Sequence, residues 1–170
     1  MSAALLAAAP ATATSSAEPA GRQLAGLDLR ETGSGRFRWF GLHVYDARLY
    51  AAGGRFSFGQ PFALALRYAR GIPGERIAAA STDEIARLGF GSPAQRAAWD
   101  AAMRQIFPDV KPGSELVGLH VPGEGTRFLH DGRPVGEIAD PEFGRAFFAI
   151  WLDPRTREPA LRASLLGERQ

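Results

Sequence analysis

The sequence has no cysteine and three histidines among its 170 residues. Without cysteine the chain has no disulfide framework, no thiolate nucleophile and no Cys-type zinc site. His43, His120 and His130 lie far apart in sequence and match no metal-binding motif. We therefore expect no metal and no cofactor. No apolar run approaches the roughly 20 residues that a membrane-spanning helix needs, so we also expect no membrane span.

Motifs of the common enzyme classes are also missing. Gly33-Ser34-Gly35 lacks the GK[ST] of a phosphate-binding loop, and we interpret it as a turn. Ser92 and Ser164 lack the G-x-S-x-G context of a hydrolase nucleophile. The formal net charge is +2, and the basic residues are scattered single arginines. Nucleic-acid-binding domains concentrate such charges on one face, so we exclude a nucleic-acid partner.

The N-terminal segment differs in composition from the rest of the chain. An apolar run at 3–9 and a small-residue stretch at 11–17 resemble the end of a secretory signal and its cleavage zone, although a positively charged start is absent. Residues 1–21 are therefore either an export signal remnant, which would make the protein periplasmic or secreted, or a disordered tail. The remaining residues, 22–170, have the length of one domain.

Alternating apolar and polar residues predict strands at 24–30, 37–51, 62–68, 115–121, 126–130 and 135–138. The long segment 37–51 forms either one strand or two strands that meet near Gly41. Its alternation places His43, Tyr45, Ala47 and Leu49 on one face. Asp131-Gly132 is typical of a tight hairpin turn.

Four helices are predicted from apolar spacing and capping residues. The first covers about 75–88, and the second begins at a capping box of Ser92 and Gln95. The third begins at Asp140 and carries a heavy aromatic face, and a short fourth helix covers 160–166. The residues on that face are Phe143, Ala146, Phe147, Ile150 and Trp151, of which three are aromatic. Strands and helices follow one another in blocks rather than alternating, which predicts the α+β class.

Several stretches together resemble the bacterial chalcone isomerase-like family. They are GSGRFR at 33–38, VYDARLY at 44–50, IFPDVKPG at 106–113, the stretch from 132 through GEIADPEF at 136–143, AFFAIWLDP at 146–154 and LRASLLG at 161–167. The resemblance implies an open-faced sandwich, with a long antiparallel sheet, helices layered on one face and a ligand cleft between them. Plant chalcone isomerases of this fold cyclise chalcones without a cofactor, and related members bind fatty acids.

The resemblance also implies site residues. The arginine that holds the substrate oxyanion in the enzymes falls on Phe37, with Arg36 and Arg38 on either side. Tyr45 occupies the place of a strand threonine, as in the fatty-acid binders, and Ser164 matches a threonine or serine of the last helix. The Tyr–Asn pair of the enzymes falls near Gly74 and Ala80, which carry neither group. These matches favour binding over catalysis.

Three hypotheses follow. In the first, the protein is non-catalytic and holds a small amphipathic carboxylate, such as a fatty acid, in the cleft. In the second, it is a cofactor-independent isomerase or lyase acting on an enone or flavonoid-like substrate, with an arginine as oxyanion holder. In the third, it is a structural or interaction module of the envelope with a filled core. The expected ligand-binding residues are Arg36, Arg38, Tyr45, Phe147, Trp151 and Ser164.

Overall fold

The protein is an antiparallel sheet with helices on one face. The computed structural model describes residues 25–168. Within these residues, a short 3-10 turn, Ala25–Leu27, precedes six strands and four helices. In chain order these are β1 (Leu29–Trp39), β2 (Leu42–Ala52), β3 (Phe62–Tyr68), α1 (Gly74–Arg87), α2 (Pro93–Ile106), β4 (Glu115–Val121), β5 (Gly125–His130), β6 (Arg133–Ile138), α3 (Pro141–Leu152) and α4 (Pro159–Leu165). The predicted signal or tail at 1–21 lies outside the described residues.

The strands form one sheet in the order of the chain, β1-β2-β3-β4-β5-β6, and every pair is antiparallel. The predicted α+β class and the open-faced sandwich are therefore confirmed. The main core lies between the sheet and the helices, as the burial of Leu49, Phe62 and Phe148 shows. A smaller apolar group, including Ala63, Val117 and Leu119, lies on the other face.

The first strand differs from the prediction. Gly33-Ser34-Gly35 is not a turn but lies inside β1, paired with Leu49, Arg48 and Ala47. The glycines are needed because α4 crosses the strand closely. A Cβ at Gly33 would lie 2.0 Å from the carbonyl oxygen of Ser164, and one at Gly35 would lie 2.7 Å from Leu161 Cδ1. Glycine in a strand often marks such a close approach.

The segment 37–51 contains the hairpin between β1 and β2, so of the two alternatives the pair of strands that meet near Gly41 is correct. Phe40 and Gly41 make a two-residue turn with φ values of +48° and +77°, the left-handed pair typical of tight hairpins. Phe37 pairs with Tyr45 and Arg38 pairs with His43, which leaves Val44 as an extra residue in β2. Such a bulge reverses the alternation, and His43 consequently faces away from Tyr45. The predicted common face of these two residues is therefore wrong.

Local capping signals predicted the helices correctly. Ser92 and Gln95 form the expected capping box at the start of α2. Asp140 caps α3 by accepting a hydrogen bond of 2.9 Å from the Glu142 N–H. The second carboxylate oxygen of Asp140 accepts a 2.8 Å hydrogen bond from the indole of Trp99 on α2. The same residue therefore starts one helix and attaches it to another.

Candidate functional site

A cavity of about 500 Å³ lies between the inner face of β1–β4 and helices α1 and α3. Side chains of the sheet form one wall, the two helices form the other, and the segment after α3 borders the cavity. Apolar groups dominate the lining. They are Phe37, Trp39, Val44, Leu66, Ile72, Ile77, Ala80, Leu116, Phe147, Ile150 and Trp151, together with the rings of Tyr45 and Tyr68.

Strand register places three aromatic rings side by side on the sheet wall. Phe37 pairs with Tyr45, and Tyr45 pairs with Tyr68. The Phe37 and Tyr45 rings are stacked with centroids 4.9 Å apart, and Tyr68 meets Tyr45 edge-on at 5.6 Å. Directly opposed residues on neighbouring strands share a face of the sheet. Strand pairing therefore produces an aromatic wall from residues that are distant in sequence.

Tyr45 is the polar centre of this wall. Its phenolic oxygen accepts a 2.9 Å hydrogen bond from the Trp151 indole on α3. Burial raises the pKa of Tyr45 well above its ordinary value, although the indole donor works in the opposite direction. The phenol is therefore neutral, and its own proton has no acceptor among residues 25–168. Tyr45 can donate this proton to a ligand oxygen.

Tyr68 offers a second neutral donor. Its ring is buried, and burial raises the pKa of its phenol. Within the described part of the chain its hydroxyl makes no hydrogen bond. Two adjacent phenols that cannot readily ionise thus present donors to the same cavity.

Charged groups lie at the edge of the cavity. The Glu84 carboxylate pairs with Arg87 and Arg157, each at 3.0 Å. Arg76 on α1 also lines the cavity, and no ion pair to it is found among the described residues. Asp83 and Glu158 complete the charged rim. Among residues 25–168, two guanidinium groups line the cavity, and that of Arg76 is the one without an ion pair.

The segment that follows α3 is held firmly against the helices. Three nitrogens of Arg155 donate to the Asp153 carboxylate at 2.8 to 3.1 Å. These hydrogen bonds hold the pKa of Asp153 below its usual range. The Thr156 hydroxyl donates to the Ile150 carbonyl at 2.8 Å. The cavity wall formed by Thr156 and Glu158 is thus a defined part of the fold.

The structure brings three of the expected site residues together. Tyr45, Phe147 and Trp151 all line the cavity. Arg36 does not reach it, because it lies on the outer face of β1 and its Nε is 2.8 Å from the Asp46 carboxylate. Arg38 shares that outer face and donates to the Gly41 carbonyl at 3.4 Å.

Strand parity is the reason for these placements. Phe37 occupies the inward-facing position of β1 that corresponds to the arginine of the enzymes. Its neighbours Arg36 and Arg38 must therefore point outward. Ser164 also lies away from the cavity. It packs against Gly35, and its hydroxyl donates to the Ala160 carbonyl at 3.0 Å.

Tyr68 and Arg76 were not predicted as site residues. The alternation of Phe62, Leu64, Leu66 and Tyr68 along β3 is the signal in the sequence that places Tyr68 on the bulky apolar face of its strand. Arg76 has no sequence signal, because its neighbours in the cavity come from β1, β2 and β3. Over residues 25–168 no cluster of three or more His, Cys, Asp or Glu side chains is arranged to hold a metal. No helix in that range combines the length and apolarity needed to cross a membrane.

The sheet, the helical layer and the cavity between them define the class of the protein as an open-faced α+β sandwich. Residues 17–167 match the family model described as chalcone isomerase-like, and the chain belongs to that family. Among solved structures, a fatty-acid binding protein of Arabidopsis thaliana is similar, with a TM-score of 0.63 and 15% identity over 82% of this chain and 87% of that one. That likeness confirms the chalcone isomerase fold. No curated protein matches the chain.

Proposed function

We propose that the protein is a non-catalytic binder of a small amphipathic carboxylate, such as a fatty acid, in the cavity between sheet and helices. The observation that supports this proposal is that the cavity lining combines a mainly apolar interior with a few polar groups. Leu66, Leu116, Phe147 and Ile150 form an apolar interior. Among residues 25–168, no acceptor is found for the hydroxyl protons of Tyr45 and Tyr68, and no ion pair is found for the Arg76 guanidinium. Small-molecule sites typically have about 300–1,000 Å³ and a few oriented polar groups. A cavity of about 500 Å³ lies within that range.

The charge that pairs with the ligand is assigned to Arg76. A guanidinium can hold a carboxylate through two parallel hydrogen bonds, and Arg76 lines the cavity without an ion pair in the described chain. Tyr45 and Tyr68 would add neutral donors. The similar Arabidopsis protein is named a fatty-acid binding protein, which supports this ligand class for the present chain.

The other two hypotheses have less support. An isomerase that uses Arg36 or Arg38 as oxyanion holder would need one of them in the cavity, and neither lines it. A structural module with a filled core would leave no space of this size beside Tyr45. A binding role agrees with both observations.

Ligand binding can be tested with delipidated protein and palmitate, by calorimetry and native mass spectrometry. We expect one bound fatty acid per chain. Arg76→Ala should weaken binding about tenfold, because the charge-assisted pair with the ligand carboxylate is lost at a site that solvent can reach. Arg36→Ala is the matched control and should bind like the wild type, since its guanidinium pairs with Asp46 on the outer face. A delipidated protein that takes up no fatty acid would refute the proposal.

We also propose that the protein acts outside the cytoplasm. The apolar run at 3–9 followed by small residues supports export, and the absence of cysteine is compatible with an oxidising compartment. Mass spectrometry of the protein purified from its native host would test this. Removal of a segment that ends near residue 17 supports export, whereas an intact N-terminus in the cytoplasmic fraction contradicts it.

A further inference from the structure

The tip of the β1–β2 hairpin exposes large apolar side chains to solvent. Trp39 is 56% exposed, Phe40 is 89% exposed and Leu42 is 51% exposed. The rings of Trp39 and Phe40 touch edge-to-face with centroids 5.0 Å apart. Of the described residues, Val135 is the one other exposed large hydrophobic side chain, and it lies on β6. The exposed apolar groups are thus concentrated at one tip.

Folding alone does not explain Phe40. It occupies a turn position with φ of +48°, where glycine, asparagine and aspartate are strongly preferred. A bulky residue in this conformation is unfavourable, and exposure of its ring to water is unfavourable as well. Strained residues of this kind concentrate at functional positions. The tip therefore carries a feature that an Asn-Gly turn would have avoided.

Positive charges surround the tip. Arg38 lies beside the turn and donates to the Gly41 carbonyl. Arg70 donates to the His43 carbonyl at 3.0 Å, and Arg76 lies nearby on α1, where it lines the same open groove. None of these three arginines has an ion pair within residues 25–168. Neither chain segment at the tip, 37–43 or 69–72, contains an acidic residue.

The hairpin tip adjoins the cavity. Phe37, Trp39, Val44, Ile72 and Arg76 line the cavity and also border an open groove beside the hairpin. A surface that attaches through the tip would therefore lie next to residues that line the cavity.

We propose that the hairpin tip, Trp39-Phe40-Gly41-Leu42, docks onto an anionic lipid bilayer. Tryptophan favours the level of the lipid headgroups, and phenylalanine and leucine are typical of apolar faces that lie at the boundary between headgroups and acyl chains. Arginines near an anionic surface are attracted to it. A protein partner fits less well, because a stable protein interface buries about 800 Å² on each side and this tip offers three apolar side chains. The docking proposal does not depend on which ligand the cavity holds.

Sedimentation with vesicles of phosphatidylcholine, with and without phosphatidylglycerol, tests the proposal. The wild-type protein should sediment with the anionic vesicles and only weakly with the neutral ones. Phe40→Asn should reduce binding about tenfold, because it removes the aromatic side chain that leaves water when the tip docks. Asparagine also suits the left-handed turn, so the variant should fold at least as well as the wild type. Val135→Asn, which removes an exposed apolar residue elsewhere, should bind like the wild type.

A charge variant and a fluorescence measurement complete the test. Arg38→Gln should weaken binding to anionic vesicles, whereas Arg127→Gln, on the outer face of β5, should have little effect. Brominated lipids should quench Trp39 but not the buried Trp99 and Trp151. Equal binding by the wild type and Phe40→Asn, or equal binding to neutral and anionic vesicles, would overturn the proposal. A dimer in sedimentation analysis that Phe40→Asn abolishes, without vesicle binding, would overturn it in favour of self-association.

Palmitate binding in vesicle-free buffer separates this proposal from the preceding one. Phe40 does not line the cavity, so Phe40→Asn should keep the wild-type affinity for soluble palmitate. Failure of vesicle binding with normal palmitate uptake contradicts docking alone. Vesicle binding without palmitate uptake contradicts the proposed ligand alone.

Discussion

The indole N–H of Trp151 donates a 2.9 Å hydrogen bond to the phenolic oxygen of Tyr45. This contact connects helix α3 to strand β2 across 106 residues of sequence. It also orients the Tyr45 hydroxyl, because an oxygen that accepts the indole proton can still donate its own. The Tyr45–Trp151 pair thus joins the helical layer to the sheet and orients the Tyr45 hydroxyl as a hydrogen-bond donor to the cavity.

Loss of the Tyr45 hydroxyl should destabilise the fold. Tyr45→Phe keeps the ring but leaves the buried Trp151 N–H without an acceptor, so we expect the free energy of unfolding to fall by about 1–3 kcal/mol. Urea denaturation measures this change. In a Trp151→Phe background the same substitution should cost clearly less, because no donor is left unpaired. Equal losses in both backgrounds would show that the hydrogen bond does not matter.

The two cavity phenols should resist ionisation. Burial raises the pKa of both Tyr45 and Tyr68, whereas an unfolded tyrosine ionises near pH 10. The unfolded chain therefore loses protons that the folded chain keeps, and stability should fall as the pH rises above about 10. Ultraviolet titration of the folded protein should show phenolate absorbance from fewer than three tyrosines at that pH. Simultaneous ionisation of all three would contradict the buried environment.

His120 should make stability depend on pH in the acidic range. It is buried at the β4–β5 pair, its Nδ1 has no hydrogen-bond partner, and desolvation lowers its pKa. Below about pH 6.5 the unfolded chain binds a proton that the folded chain does not. The free energy of unfolding should therefore decrease as the pH falls below that value, by up to about 1.4 kcal/mol per pH unit.

The matched variant for this prediction is His120→Gln, which cannot be protonated in this range. The difference between wild type and variant isolates His120, because His43 and His130 are present in both. If the two proteins show the same dependence on pH between 4.5 and 7, roughly the window around the histidine pKa, then His120 is not responsible.

Gly33 should not tolerate a side chain. A Cβ there would lie 2.0 Å from the Ser164 carbonyl oxygen, so α4 would have to move away from β1. We expect Gly33→Ala to lower the free energy of unfolding by about 2–3 kcal/mol, the upper part of the range for overpacking. Gly26→Ala is the control, because a Cβ at Gly26 meets nothing within 4 Å. Thermal unfolding that ranks the two variants equally would contradict this account.

Asp140 should be more important for stability than an ordinary cap. Its carboxylate caps α3 and accepts the buried Trp99 N–H, so Asp140→Ala should cost about 2–4 kcal/mol. Ser92→Ala removes a cap at the start of α2 and should cost about 1 kcal/mol. Chemical denaturation compares the two, and a cost at Asp140 no larger than that at Ser92 would argue against the second role.

Part of the site could be predicted because it depends on alternation and family resemblance. The aromatic spacing of α3 places Phe147 and Trp151 on the buried side of the helix, and Tyr45 shares a face with Ala47 and Leu49, as expected. The prediction of a turn at Gly33-Ser34-Gly35 is wrong, because a local pattern cannot show that a helix more than 120 residues later will lie against Gly33 and Gly35. Likewise, no local sequence pattern predicts the β-bulge at Val44 in β2.

The sequence by itself determined the elements of this protein: the capping box at Ser92, the Asp131-Gly132 turn, the apolar faces and the resulting α+β class. These features depend on residues a few positions apart, and their physics is local. Only the tertiary structure decided which guanidinium groups border the cavity. The alternation of β1 directs Arg36 and Arg38 outward, whereas the packing of α1 over the sheet places Arg76 at the cavity. The direction of a side chain depends on strand register and on packing between segments that are distant in sequence.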